Sequence, residues 1–252
     1  MECLGGCLTQ RSLVLGNDQL FKKRKAATLK SLQRREVGRK PLKRILIVGE
    51  GDTEERYFKA FVADLKLDGV EVDVRSDAGF APRSIVKFAE KKARDAGPPE
   101  NGGYSQIFCV FDRDSHESYQ AAISKTRDLN KSSSFPSKIE SITSIPCIEF
   151  WFVLHHKYCR IPFAATGDKS VGDAVKAYLR KINGFEDYIE AISQDHLKTL
   201  ISLTDTAFAN AKLAEQDAKE TGEFNPTTNV GLVVEYLREA KRLAEIEADK
   251  SR

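Results

Sequence analysis

The stretch RILIVGEGDTEERYF, Arg44 to Phe58, sets an apolar run directly ahead of four acids, Glu50, Asp52, Glu54 and Glu55. Arg44–Gly49 lacks polar alternation and ends on glycine, which reads as a strand buried on both faces. Asp52 with Glu55 three residues later forms a capping box that opens a helix. In that helix Tyr57, Phe58, Phe61, Val62 and Leu65 make one apolar stripe, the face a helix turns toward a sheet. The acids at the junction repel one another unless something positive sits among them. The pattern returns at IFCVFDRDSH, Ile107 to His116, where a second apolar run ends on Asp112 and Asp114.

Working outward, GVEVDVRS puts Val70, Val72 and Val74 on one face of a half-buried strand nearer a sheet edge. Pro82 starts the next helix and Gly97 stops it. Ser115–Asn130 is a weaker helical stretch, Ile139–Ile145 a short strand, and Pro146 the first turn of a helix through His156. Strands and helices therefore alternate, which predicts an α/β fold with a parallel sheet covered by helices. From about Ile161 the text becomes helical in period, with TGEFNPTTN (Thr221 to Asn229) as a capping loop before the last helix. The expected organisation is a basic arm over residues 1–40, a core over 41–160 and a helical C-terminal region over 161–252. In parallel sheets ligands sit beyond the carboxyl ends of the strands, and both acidic clusters occupy such ends.

Composition limits the partners. The 252 residues are 41% apolar and 31% charged with a formal charge of +3, as in a soluble globular protein. Between Lys22 and Arg44 eleven Lys or Arg face a lone Glu36, a run suited to a solvated or nucleic-acid-facing segment. No stretch reaches the roughly 18 apolar residues of a membrane span. MECLGGCLTQR lacks the basic and apolar regions of a secretory signal, so a cytoplasmic location is expected. Five scattered cysteines, with Cys3 and Cys7 lacking a matching second pair, point to reduced thiols rather than structural zinc.

Glu50 closes its strand and Glu54 lies in the first helical turn. A helix N-terminus favours each acid there by roughly 0.3–1 kcal/mol, so a well-capped helix start alone would account for them. Asp112 and Asp114 change the balance, because positions i and i+2 at a strand end project to one side. Hard cations such as Mg²⁺ take oxygen ligands and keep several waters. Glu149 falls in IPCIEFWFVLHH, an otherwise apolar helix. An unpartnered buried carboxylate costs several kcal/mol, so this acid is expected to meet a metal, a base or solvent. Helical spacing puts His156 nearly on the face of Glu149 and turns His155 away by roughly a third of a turn.

ILIVGEGDTEERYF, VFDRD and IPCIEFWFVLHH, with a weaker NPTTNVGLVVEYL near Asn225, resemble the RloB family, which is similar to the wider Toprim and OLD-nuclease group. The resemblance covers roughly Arg44 to Lys157. It implies a Toprim-like sheet, a strand-end glutamate acting as general acid or base (Glu50), a D-x-D pair holding Mg²⁺ or Mn²⁺ (Asp112 and Asp114), and a second acid matching Glu54. It favours His155, whereas geometry favours His156, and both stay candidates. A partner ATPase and a role in phage defence, including abortive infection, are further implications.

The expected activity is divalent-metal-dependent hydrolysis of DNA or RNA. Glu50, Glu149, His155 and His156 are the candidate catalytic residues, and Glu50, Glu54, Asp112 and Asp114 the metal ligands. The acidic neighbours of Glu50 would raise its pKa until metal binds. Lys40, Lys43, Arg44 and Arg113 are candidate phosphate contacts, whose binding would weaken with salt. Self-association into a homo-oligomer is compatible with this reading. A scaffold or effector subunit of an ATPase complex, without turnover of its own, is the alternative. Primase or strand-passing activity fits less well, since strand passage calls for a nucleophilic tyrosine on a further domain.

Overall fold

Ile45 to Val48 are completely buried and alternate between the two faces of a sheet: Ile45 and Ile47 join one apolar cluster, Leu46 and Val48 another. This is strand β1 (Lys43–Val48), and cover on both faces explains its unbroken apolar run. The computed structural model describes residues 43–79, 81–113, 118–190 and 192–250. The basic arm, with Lys40, Cys3 and Cys7, lies outside the described residues, as does Asp114.

From β1 the chain runs through α1 (Asp52–Leu65), β2 (Val70–Arg75), α2 (Pro82–Ala96) and a 3₁₀ turn at Pro99–Asn101 to β3 (Tyr104–Asp112). It continues through α3 (Tyr119–Lys131), β4 (Lys138–Ile145) and α4 (Glu149–His156). Then follow α5 (Val171–Leu179), α6 (Gln194–Ser202), α7 (Thr204–Thr221), β5 (Thr227–Thr228) and α8 (Gly231–Lys250). The sheet order is β2-β1-β3-β4-β5. Its first four strands are parallel, while β5 runs antiparallel to β4. The α/β class and the edge position of β2 match the sequence reading.

Leu46, Val48, Ile107, Cys109 and Phe111 pack with Ile85, Val86 and Ala89 of α2 and with Ala122 and Leu129 of α3. Ile45, Ile47, Phe108 and Val110 pack with Tyr57, Phe58 and Phe61 of α1 and with the α4 run Phe150–Leu154. The same cluster takes in Val175, Leu200, Ala207, Val234 and Leu237, so the helices after residue 161 share the core of the sheet. Trp151, Tyr57, Phe150 and Phe152 are fully buried within it. Each such side chain stabilises the fold by roughly 1.5–3 kcal/mol.

Several local expectations shift. The helix cap lies one residue earlier than Asp52: Gly51 is the N-cap, and its backbone N–H donates to Glu54 Oε2 at 3.1 Å. Glu55 instead turns outward to Lys59 and Ser76. Pro146 does not open the helix; α4 begins at Glu149, preceded by tight bonds from Phe150 N–H to Cys147 O and from Trp151 N–H to Ile148 O. The loop before the last helix carries β5, and Asn229 prolongs its pairing by donating its N–H to Thr143 O at 3.1 Å.

Topology decides where a ligand can sit. The chain leaves β1 toward β2 on one side and returns to β3 on the other, so a crevice opens beyond the carboxyl ends of β1 and β3. Register places Val48 beside Cys109. Glu50, two residues on, therefore stands near the level of Phe111 and Asp112. Among the described residues no helix is long and apolar enough to cross a membrane.

Candidate active site

Glycine sets the approach of the first acids. A Cβ built on Gly49 would lie 2.7 Å from Glu54 Cβ, so only glycine lets the first turn of α1 fold back over the end of β1. That turn buries Glu54 to 4% exposure. Across the crevice the backbone N–H of Asp112 donates to Glu50 Oε2 at 3.2 Å. The N–H of Ile148, the residue before α4, is directed at the Asp112 carboxylate. One residue later Glu149 is 3% exposed and accepts the hydroxyl of Tyr188 at 3.1 Å.

Four of the predicted acids, Glu50, Glu54, Asp112 and Glu149, therefore interact from four different segments. The protonation of Glu54 records this: burial, then the negative charges of Glu149 and Glu50, push its pKa up to about 8 against backbone bonds that lower it. Asp112 is raised well above the usual carboxylate range by burial, then by the charges of Glu54, Glu149 and Glu50. The Cys147 thiol, also buried, is raised by burial and by Glu149 and Asp112. Groups perturbed together in this way cluster at functional sites.

Does this donor set suit a divalent cation? All the acids are oxygen donors, they gather at the crevice, and burial together with their mutual charge pushes up the pKa of two of them. Among the described residues no three His, Cys, Asp or Glu side chains form a ready-made metal cage. Mg²⁺ does not need one, since it usually keeps several waters and takes one or two protein carboxylates. One or two carboxylates from among Asp112, Glu54 and Glu50 fit such an ion.

The histidines separate. His155 is fully buried; its Nδ1–H donates to Trp151 O at 2.8 Å and Nε2 accepts from Tyr57 O–H at 3.4 Å. Rings of Trp151, Tyr57 and Phe152 surround it. Burial drives its pKa down to about 3, so it is a neutral core residue, and its ring nitrogens bond to Trp151 and Tyr57 rather than to the acids. His156 is half-buried, edge-on to Phe185 at 4.9 Å, with Nε2 unpartnered. Neither imidazole joins the carboxylates.

The basic candidates divide likewise. Arg113 is exposed next to Asp112, its guanidinium over the Tyr119 ring at 5.7 Å. Arg44 donates to Gly102 O at 3.0 Å, pairs with Glu71 at 3.0 Å and covers the Tyr104 ring. Lys43 sits over Tyr236 at 4.7 Å. Both belong to the amino end of β1, roughly 20 Å of strand away from Glu50 at about 3.3 Å per residue. Both make contacts within the fold at the opposite end of the strand from the acids.

Sequence reasoning missed Tyr188, Lys176 and Thr53. Lys176 pairs with Glu190 and feels the charge of Glu149. Thr53 Oγ1 donates to Glu190 O at 2.8 Å. The buried acid in α4 demanded a polar partner, but nothing local in NGFEDYIEA announces which residue supplies it.

An α/β chain with a buried carboxylate cluster at its switch point is the class that fold and site define. A family model described as RloB-like protein matches residues 45–237. The chain belongs to the RloB-like family. No curated protein and no solved structure matches it.

Proposed function

We propose that this RloB-like chain is a divalent-metal-dependent phosphodiester hydrolase acting on DNA or RNA. The observation that carries the reading is the meeting of Glu50, Glu54, Asp112 and Glu149 beyond the ends of β1 and β3, where burial and mutual charge raise the pKa of Glu54 and Asp112. Asp112, Glu54 and Glu50 would hold the cation, which supplies Lewis acidity to a phosphoryl oxygen and an acidified water. Glu50, only partly enclosed, is placed to carry a proton to or from solvent. Arg113 offers an exposed cation beside the crevice for a neighbouring phosphate. The strand-end glutamate and the acid ending β3 also support the Toprim-like reading of the sheet. Work beside a partner ATPase in phage defence belongs to the same proposal.

The test is a cleavage assay of the purified chain, with and without an ATPase partner, on single- and double-stranded DNA and RNA in Mn²⁺ or Mg²⁺. Asp112→Ala is expected to abolish cleavage. Intact substrates under every condition, from a correctly folded protein, would leave the second reading, a scaffold subunit without turnover. The lack of a ready-made three-ligand cage among the described residues is what favours that alternative. Asp112→Ala would then spare complex formation and signalling.

A further inference from the structure

We infer that Tyr188, on the segment between α5 and α6, is a positioning residue that fixes the Glu149 carboxylate in the metal-binding crevice. The inference rests on the metal-site reading above and assigns a role to a region the motifs do not reach. Tyr188 is fully buried and its hydroxyl donates to Glu149 Oε1 at 3.1 Å. Its ring packs against Phe152 at 6.3 Å, Phe185 at 6.3 Å and His196 at 6.0 Å, which leaves the phenol one direction in which to point. The segment is held at two further places. Thr53, in the first turn of α1 beside Glu54, donates to Glu190 O at 2.8 Å, and Lys176 of α5 pairs with the Glu190 side chain.

A structural account of this bond is poor. Burying a carboxylate and a phenol against each other is costly beside an apolar pair of similar volume, and this hydrogen bond, the neighbouring Cys147 thiol and the charge of Lys176 offset the several kcal/mol of carboxylate desolvation only in part. A hydrogen bond that fixes a carboxylate beside the ligating acids does serve a metal site, as the outer partners of metal ligands do; removing such a partner typically costs about 10–100-fold in affinity. The charge of Glu149 reaches Glu54 and Asp112.

Tyr188→Phe removes the hydroxyl and keeps the ring, so its packing survives. Mn²⁺ titration of the full chain, read by calorimetry and by the electron paramagnetic resonance spectrum of the bound ion, compares wild type, Y188F, E149Q and the double variant, with D112N as control. We expect Y188F to bind Mn²⁺ about 10–100-fold more weakly with an altered bound-ion spectrum, and to add no further loss in the E149Q background. Y188F affinity within twofold of wild type overturns the inference, as do losses that add in the double variant. D112N separates the two levels: if it binds Mn²⁺ like wild type, the metal-site reading itself fails. If only D112N loses binding, that reading stands and the role of Tyr188 falls.

Discussion

The N–H of Asp112 donates to Glu50 Oε2 at 3.2 Å, so the last residue of one strand orients the first acid beyond its neighbour. The donor is a backbone N–H, so the bond does not depend on the Asp112 carboxylate. It leaves the Asp112 carboxylate to interact with Ile148 N–H and with the charges of Glu54 and Glu149. Structure and chemistry at this crevice can therefore be separated by substitution.

Asp112→Asn should stabilise the metal-free protein while destroying its response to metal. It removes a carboxyl group that folding must either bury charged among other acids or protonate, and a stabilising substitution of this kind is commonly worth about 0.5–2 kcal/mol. For a chain of this size each kcal/mol raises the unfolding midpoint by about 2–4 °C. With Mn²⁺ at 100 times its Kd, wild type should gain about 2.7 kcal/mol and D112N nothing. Calorimetric melts in chelator and in Mn²⁺ check both signs; a D112N protein that melts lower in chelator contradicts the repulsion argument.

Stability of the metal-free protein should fall as pH rises through the neutral range. Glu54 has an ordinary pKa of 4.5 and a folded one of about 8, and Asp112 moves the same way. Between those values the native state holds protons that the unfolded chain releases, so stability declines with rising pH. Metal competes with the same protons, which makes the Mn²⁺-induced gain larger at pH 8 than at pH 6. Melting temperatures in chelator that stay level from pH 5 to 8.5 would refute the burial of these charges.

His155 sets the acid limb. Its pKa falls from 6.5 to about 3 on folding, so the unfolded chain binds the extra proton, and stability is lost as pH drops through that interval. His155→Leu should flatten this limb. It should also cost about 1–3 kcal/mol near neutrality, because Tyr57 O–H loses its acceptor. Urea midpoints report both effects, and Mn²⁺ affinity should be unchanged; a lost metal response in H155L would return His155 to the site.

What the sequence made legible and what it hid follow from the range of the interactions. β1 announced itself because cover on both faces leaves no polar alternation, and VEVDVR declared β2 an edge by alternating. Glu50, Glu54, Asp112 and Glu149 were visible as acids where a strand end or an apolar helix makes acids expensive. Tyr188 was not, since its significance is a bond to Glu149 across 39 positions, and an aromatic in a helical region looks like any core residue. The surroundings of His155 were hidden for the same reason: Trp151 O and Tyr57 O–H, which satisfy both ring nitrogens, meet it only inside the folded core. The two-residue β5 escaped notice because its place depends on β4, far away in the chain.

Gly49→Ala tests whether the close approach of α1 to β1 builds the site. The added methyl would lie 2.7 Å from Glu54 Cβ, a distance real contacts do not sustain, and Gly49 N–H is fixed to Arg75 O at 2.7 Å on the opposite side. The backbone has little room to yield toward β2, so the first turn of α1 must move instead. Overpacking of this kind costs about 1–3 kcal/mol. The displaced turn carries Glu54 together with Thr53, whose bond to Glu190 O holds the Tyr188 segment. Mn²⁺ affinity should therefore weaken by about tenfold or more, as when the supports of a metal ligand are disturbed. A G49A protein that melts within 1–2 °C of wild type, roughly the shift from half a kcal/mol, and binds Mn²⁺ equally would show that the acids do not depend on this contact.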